Sequence, residues 1–333
     1  MSCSPLKQDE RNMPQANYTT AADAFDQWRD NLLTGTPPTL YPIGSGEMGR
    51  IETGPGLVTL IGGAPGAGKT AFTMQAAVDA LRLTPTLRAL VCNIEMSPAV
   101  LLDRQLARLS GIDLGTIRHR RFGPEHAERL HLAMDTLEAV ADRLAFVRPP
   151  FTLENVAASA DAFGAELLVL DYIQRISPPG DHSTKRHAVD ATMNFLRQFA
   201  DAGTALLVVA AVSRGKDAAG RSTYDSDALS LASFRESSEL EFGADDAFIL
   251  VPSNDRDEQG AVKVTLRHLK SRYGEPRDVV LDFHRPTQRF TPTAAPTPAG
   301  RRRGRPPGNL LQEELAAAWA QTQPAADDEE EAF

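Results

Sequence analysis

The sequence predicts an α/β fold, a mostly parallel twisted sheet flanked by helices, with an antiparallel hairpin at its edge. Three observations predict it. Short apolar runs rich in Leu, Val and Ile alternate with helical patterns from about residue 56 to 290, as expected of strands covered on both faces. A glycine-rich stretch, Gly63–Thr70, falls between one such run and a helical pattern. Two later segments, Val262–Leu269 and Arg277–Phe283, are joined by the turn-rich Lys270–Pro276 and read as the edge hairpin. With 333 residues, 42% hydrophobic and 24% charged, the chain can bury a large core.

The elements follow in order. Residues 1–19 are polar and without periodicity, and read as a disordered leader. Phe25, Trp28 and Leu32 recur at helical spacing between Thr20 and Leu33, with Thr20 or Asp23 as the cap; Gly35, Pro37 and Pro38 end the helix. Its apolar stripe can dock on its own domain or on a neighbouring subunit. Strands are predicted at Leu57–Ile61, Ala89–Asn93, Leu144–Val147, Leu167–Leu170, Ala205–Val212 and Ala247–Val251, before the edge hairpin. Helices are predicted over Thr70–Leu81, Ala99–Leu109, Pro124–Val140, Leu153–Phe163 and Ala188–Ala202. After Phe290 the chain turns to Pro, Thr and Ala, then to Arg301, Arg302, Arg303 and Arg305. A short helix capped by Asn309 is predicted next, with Leu311, Leu315 and Trp319 on one face, ahead of the acidic run Asp327–Glu331 and a terminal Phe333.

Composition excludes several classes. No apolar run approaches the roughly 18 residues of a membrane span, and the N-terminus lacks a secretion-signal pattern. Cys3 and Cys92 stand apart, outside any metal-binding spacing, and the seven histidines show no ligand pattern. The expected location is the cytoplasm. The net charge of −9 falls to −4 without the five terminal acids, so a local DNA-facing surface remains open.

The strongest motif is Gly63-Ala64-Pro65-Gly66-Ala67-Gly68-Lys69-Thr70, a complete G-x-x-x-x-G-K-T loop. Its glycines let backbone N–H groups turn around phosphate oxygens at a helix N-terminus. Lys69 can reach the β- and γ-phosphates, and the Thr70 hydroxyl can hold Mg²⁺. ATP with Mg²⁺ is therefore the expected ligand. The apolar run Leu167–Leu170 ends in Asp171, the carboxylate that a magnesium site needs. Glu95, just past another apolar run, is placed to polarise an attacking water.

These residues resemble the C-terminal ATPase domain of DnaB-type replicative helicases, a RecA-like P-loop NTPase. Beyond Gly63–Thr70, Asn93–Ser97 is similar to the segment carrying that family's catalytic glutamate, and Leu170–Gln174 to its "D-Y-[LI]-Q" element. Phe234–Glu241 is close to its "L-R-E-S-G-x-I-E" element, and Lys270–Gly274 matches its "K-x-R-x-G" hairpin. The resemblance implies a homo-oligomeric ring, usually a hexamer, with ATP bound between subunits and catalysis served by Glu95 and Lys69. Lys270 and Arg272 would act in trans, although alone they read as exposed hairpin charges. It also implies a nucleotide contact from Gln174. Single-stranded DNA contacts would come from Ser177–Lys185 with Lys185 and Arg186, and from Arg235, Glu236 and Ser238; Lys185 and Arg186 read equally as a solvated helix start. The implied organisation is a leader (1–19), a linker helix (20–35), an ATPase domain (36–290) and a tail (291–333).

Two departures stand out. The family's "S-Q" strand end is here Ala210-Ala211, so no side chain at 211 can sense the γ-phosphate and relay it to the DNA loops. The family's N-terminal collar has no counterpart in the residues before the linker helix, which favours an accessory or mobile-element role. The leading expectation is an ATP-driven helicase or translocase; the alternative is a RecA-like DNA-binding ATPase acting as a loader or nucleotide switch. In the tail, Arg303-Gly304-Arg305-Pro306 resembles an AT-hook, or is a basic linker with general phosphate affinity. The acidic tip resembles those of bacterial single-stranded-DNA-binding proteins, which would bring a replication protein as partner, or is a solubilising tail.

Overall fold

The computed structural model describes residues 18–35, 37–212, 229–234, 239–256 and 260–293. The chain divides into two compact units, with the sheet entirely in Thr39–Pro296. The other unit contains α1 (Ala21–Thr34). Thr20 caps α1 and Asp23 answers from the third position, each side chain bonded to the other's N–H at 3.1 and 3.0 Å. Those bonds hold the Asp23 carboxyl below its ordinary pKa. Gly35, at φ +65°, closes the helix. Phe25, Trp28 and Leu32 are exposed.

The sheet has nine strands: β1 (Val58–Gly63), β2 (Ala89–Asn93), β3 (Leu144–Phe146), β4 (Leu167–Asp171), β5 (Ala205–Val209), β6 (Asp246–Arg256), β7 (Val262–Ser271), β8 (Val279–His284) and β9 (Arg289–Pro292). Their order is β3-β2-β4-β5-β1-β6-β7-β8-β9. Strands β3 through β6 pair in parallel in that order, and β6 to β9 pair antiparallel. β1, β2, β4 and β5 are buried along their whole length, which explains their uninterrupted apolar runs.

Connecting helices are α2 (Lys69–Leu83), α3 (Pro98–Ser110), α4 (Leu114–Arg118), α5 (Ala127–Ala141), α6 (Leu153–Phe163), α7 (Lys185–Asp201) and α8 (Glu239–Gly243). Two apolar cores lie on opposite faces. One joins α2 and α3 to the sheet through Phe72, Leu81 and Leu101; the other joins α6 and α7 through Val156, Met193 and Leu196.

The predicted hairpin exists as β7–β8, but it is not the edge: β9 covers it. Phe283 and Phe290 stack at 4.2 Å, and Phe72 of α2 meets Phe290 edge-on at 5.6 Å. Gln75 of α2, 4% exposed, donates to the Phe290 carbonyl at 2.8 Å and accepts from its N–H at 2.9 Å. The helix behind the phosphate loop is thereby fastened to the last strand. The predicted strand Ala205–Val212 stops at Val209; the Ala210 N–H still donates to the Ile61 carbonyl at 3.0 Å, Ala211 leaves the ladder, and Val212 bridges Phe234.

Candidate active site

Register brings the site together. Asn93, Asp171 and Val209 are aligned partners at the C-terminal ends of β2, β4 and β5, and Ile61 of β1 pairs Val209. Ligands of parallel sheets gather at this edge. β1 runs into Gly63–Gly68, and α2 begins at Lys69 with no side chain capping its first turn. Its free N–H groups and positive end are left to an anion. Gly66 and Gly68 sit at φ +78° and +97°. A Cβ on Gly68 would also lie 2.9 Å from both Phe283 and Phe290, so the aromatic floor admits no side chain there.

Around this loop the predicted residues converge. Lys69 Nζ donates to the carbonyls of Gly63 at 2.8 Å and Ala64 at 3.0 Å. Burial lowers its pKa, opposed by the charges of Asp171 and Glu95. The Thr70 hydroxyl donates to Asp171 Oδ2 at 2.6 Å, and Asn93 Nδ2 donates to the same oxygen at 2.8 Å. Burial raises the pKa of Asp171; the bond from Thr70 and the charge of Lys69 oppose it, while Glu95 adds to the rise. A hydroxyl and a carboxylate oxygen in contact beside a phosphate loop are a suitable donor set for Mg²⁺, a hard cation that takes oxygen ligands.

Glu95 is exposed at the mouth of the site. Its loop is held by Asn93, whose Oδ1 accepts from the N–H groups of Glu95 at 3.1 Å and Met96 at 2.8 Å. Asn93 thus fixes both carboxylates, Asp171 directly and Glu95 through its backbone. The sequence pattern placed Asn93 in a motif without giving it this part; the local signal was an asparagine followed by N–H groups two and three residues on. Arg104 of α3 was also missed. Burial lowers its pKa while Asp171 opposes that shift, and its guanidinium donates to Gln288 at 2.7 Å.

The remaining predicted residues lie elsewhere. Gln174 Oε1 accepts the Ala211 N–H at 3.1 Å, joining the turn after β4 to the end of β5. Lys185 and Arg186 open α7, exposed and capped by Thr184. Arg235, Glu236, Ser238, Arg303 and Arg305 lie outside the described residues. Phe234, just before them, is buried; a Cβ on Gly62 would come within 2.6 Å of its ring.

Lys270 and Arg272 sit at the other end of the sheet. Ser271 pairs Asp246, which pairs Thr59 at the start of β1. Lys270 Nζ donates to the Ala244 carbonyl at 2.7 Å, and Arg272 Nη2 to that of Phe242 at 3.2 Å. Arg272 Nε also lies 3.1 Å from Asp245 Oδ1, while Asp245 Oδ2 takes Arg197 at 2.7 Å and the Val58 N–H at 2.8 Å.

A phosphate loop on β1, an acid at the end of β4 and a polar strand end beside that acid on β2 now have a family. The model of the DnaB-like helicase C terminal domain matches residues 53–292. The chain belongs to that family. It is a DnaB-type helicase domain that hydrolyses ATP. Among solved structures, it is similar to a DnaB-like replicative helicase described with its interactions with primase: TM-score 0.68, 17% identity, covering 84% of this chain and 68% of that one. It is likewise similar to a second solved structure, described as an ATPase domain: TM-score 0.71, 18% identity, covering 83% of this chain and 100% of that one. No curated protein sequence matches significantly. No helix among the described residues is long and apolar enough to cross a membrane.

Proposed function

We propose that the chain hydrolyses Mg·ATP between the subunits of a ring, a hexamer in the family pattern, and uses the cycle to move along single-stranded DNA in replication. The observation that carries this reading is the contact of Thr70 with Asp171 beside Lys69 at the uncapped start of α2. Thr70 and Asp171 hold Mg²⁺, which supplies charge neutralisation at the phosphate oxygens. Lys69 exchanges its carbonyl partners for phosphate oxygens. Glu95, on the loop positioned by Asn93, orients the attacking water and accepts its proton. Gln174 reports the state of this edge to the end of β5.

Lys270 and Arg272 serve the next subunit's site. In their own chain they stand at the level of Thr59, and Gly63 lies about 13 Å further along β1 at roughly 3.3 Å per residue. The exposed Phe25, Trp28 and Leu32 of α1 supply a contact between neighbouring copies. Lys185 and Arg186, with Arg235, Glu236 and Ser238, hold DNA phosphates inside the ring, and Arg303 and Arg305 add affinity from the tail. The acidic tip recruits a replication protein.

The test is ATP hydrolysis with and without single-stranded DNA, alongside mass in solution. Stimulation in a hexamer-sized species is expected. A second reading, a loader or nucleotide switch that does not unwind, is favoured by Ala211, whose polar link to the phosphate edge is made by its backbone N–H on Gln174 and not by a side chain. A rate indifferent to DNA would select it.

A further inference from the structure

Outside the nucleotide site, the acidic chain carries a basic run, Arg118-His119-Arg120-Arg121, followed by Phe122. All five are exposed, Phe122 by 41%. The run closes α4. Arg121 N–H bonds back to the Thr116 carbonyl at 3.0 Å and Arg120 N–H to that of Ile117 at 3.0 Å, a helix-ending motif whose left-handed residue is most often glycine. Here that residue is Arg120, at φ +54°. Its guanidinium is anchored to Asp103 at 2.9 Å and to the Ile117 carbonyl at 2.6 Å, which leaves Arg118 and Arg121 flanking a fixed turn.

A second basic segment meets the first. The Leu114 N–H that opens α4 donates to the Pro286 carbonyl at 2.8 Å, at the tip of the β8–β9 turn. Arg285 and Arg289 bracket that tip, both exposed. Among the described residues, Arg118, Arg121, Arg285 and Arg289 make no ion pair or side-chain hydrogen bond. The nearby carboxylates are engaged: Asp103 with Arg120, Asp113 with the N–H groups of Gly115 and Thr116 at 2.7 and 3.1 Å, Glu125 with His126 at 3.2 Å. The result is a positive surface built from two segments locked by a backbone bond.

We propose that Arg118, Arg121, Arg285 and Arg289 form a separate nucleic-acid surface that holds the phosphate backbone of a strand, with Phe122 offering its exposed ring to a base. Guanidinium groups without an acidic partner suit phosphate oxygens, and an adjacent aromatic ring suits an unpaired base. The proposal rests on the reading of this chain as DNA-binding, but on none of the residues assigned to DNA above.

The test is binding of a labelled oligonucleotide by the full chain across a salt series, single-stranded in one arm and duplex in the other. Replacing all four arginines by alanine should lower the salt slope by about 0.7 per lost contact on single strands, and affinity at 0.1 M salt by roughly 10²–10³-fold. The corresponding four-lysine variant should keep most of the slope, and unchanged thermal unfolding of both shows that they fold. Phe122→Ala should weaken single-strand binding by at least about 5-fold and leave duplex binding unchanged. An alanine variant with wild-type slope and affinity overturns the proposal while leaving the helicase reading intact. Loss of binding to a peptide of residues 325–333, with DNA affinity unchanged, also overturns it and assigns the surface to the chain's own acidic run. A wild-type chain that binds neither oligonucleotide overturns both readings.

Discussion

Arg272→Ala separates a role in trans from one in cis. In its own chain Arg272 belongs to the end of the sheet opposite the phosphate loop, so removing it leaves the Lys69–Thr70–Asp171 contacts of that subunit untouched. Its structural cost is small: the side chain is 41% exposed, and Asp245 retains Arg197 and the Val58 N–H, so about 1 kcal/mol or less is lost. In the proposed role its catalytic cost is large, because a trans-acting arginine is worth about 10³–10⁵ in rate. Arg272→Ala should therefore keep ATP affinity and lose turnover, whereas Lys69→Ala loses turnover through its own loop.

Mixing the two variants decides the geometry. Under the proposed arrangement each interface needs an intact loop from one subunit and an intact Arg272 from the next. Random one-to-one assembly supplies both at about one interface in four, so the mixture should recover roughly a quarter of the wild-type rate per site. The assay is steady-state phosphate release after subunit exchange, with co-assembly verified by native mass. A co-assembled mixture no faster than the sum of its parents would refute the reasoning, and so would an Arg272→Ala chain that loses nucleotide affinity as completely as it loses turnover.

Other consequences are more local. Gln75→Leu leaves the buried N–H and carbonyl of Phe290 without partners, at about 1–3 kcal/mol each; thermal unfolding should fall by several degrees, and a change under about 2 °C would show that β9 is not held this way. Asp171→Asn should abolish the stabilisation conferred by Mg·ATP while making the nucleotide-free fold more stable near neutral pH. The sign follows from the raised pKa: the folded state binds the Asp171 proton more tightly than the unfolded state, so the wild type loses stability as pH rises from about 3.8 through the folded value, and the variant lacks that loss; urea titrations at several pH values read the difference. Burial pushes the Cys92 thiol to about 12, so thiol reagents at pH 8 should label its peptide only after denaturation, as mass spectrometry would report.

The phosphate loop and the parallel strands were legible because their signals are local. An uninterrupted apolar run followed by G-x-x-x-x-G-K-T needs no knowledge of distant residues. β9 was not legible for the opposite reason. Arg289-Phe290-Thr291-Pro292 contains one large apolar residue and a proline, and what makes it a strand is Gln75, 215 positions away, together with two aromatic rings. Lys270 and Arg272 were singled out by the family resemblance, but their tethering to the carbonyls of Ala244 and Phe242 depends on where α8 ends. Asn93 lies between these cases: its Asx-type turn is local, whereas its bond to Asp171 depends on β2 pairing β4.

The same distinction changes how Ala211 is understood. Along the chain, Ala210-Ala211 reads only as a departure from the family pattern, which has a glutamine at this strand end. In the fold a glutamine still reaches the spot, supplied from the turn after Asp171 rather than from β5. Gln174 takes the Ala211 N–H, a donor freed when the chain leaves the ladder after Ala210. An alanine supplies that N–H as well as any residue does, so the link between the two strand ends does not depend on the side chain at 211. What the substitution removes is a polar atom aimed onward from β5. From Ala211 the main chain continues to Val212, whose bridge to Phe234 joins this strand end to the ring that packs over Gly62 at the root of the phosphate loop.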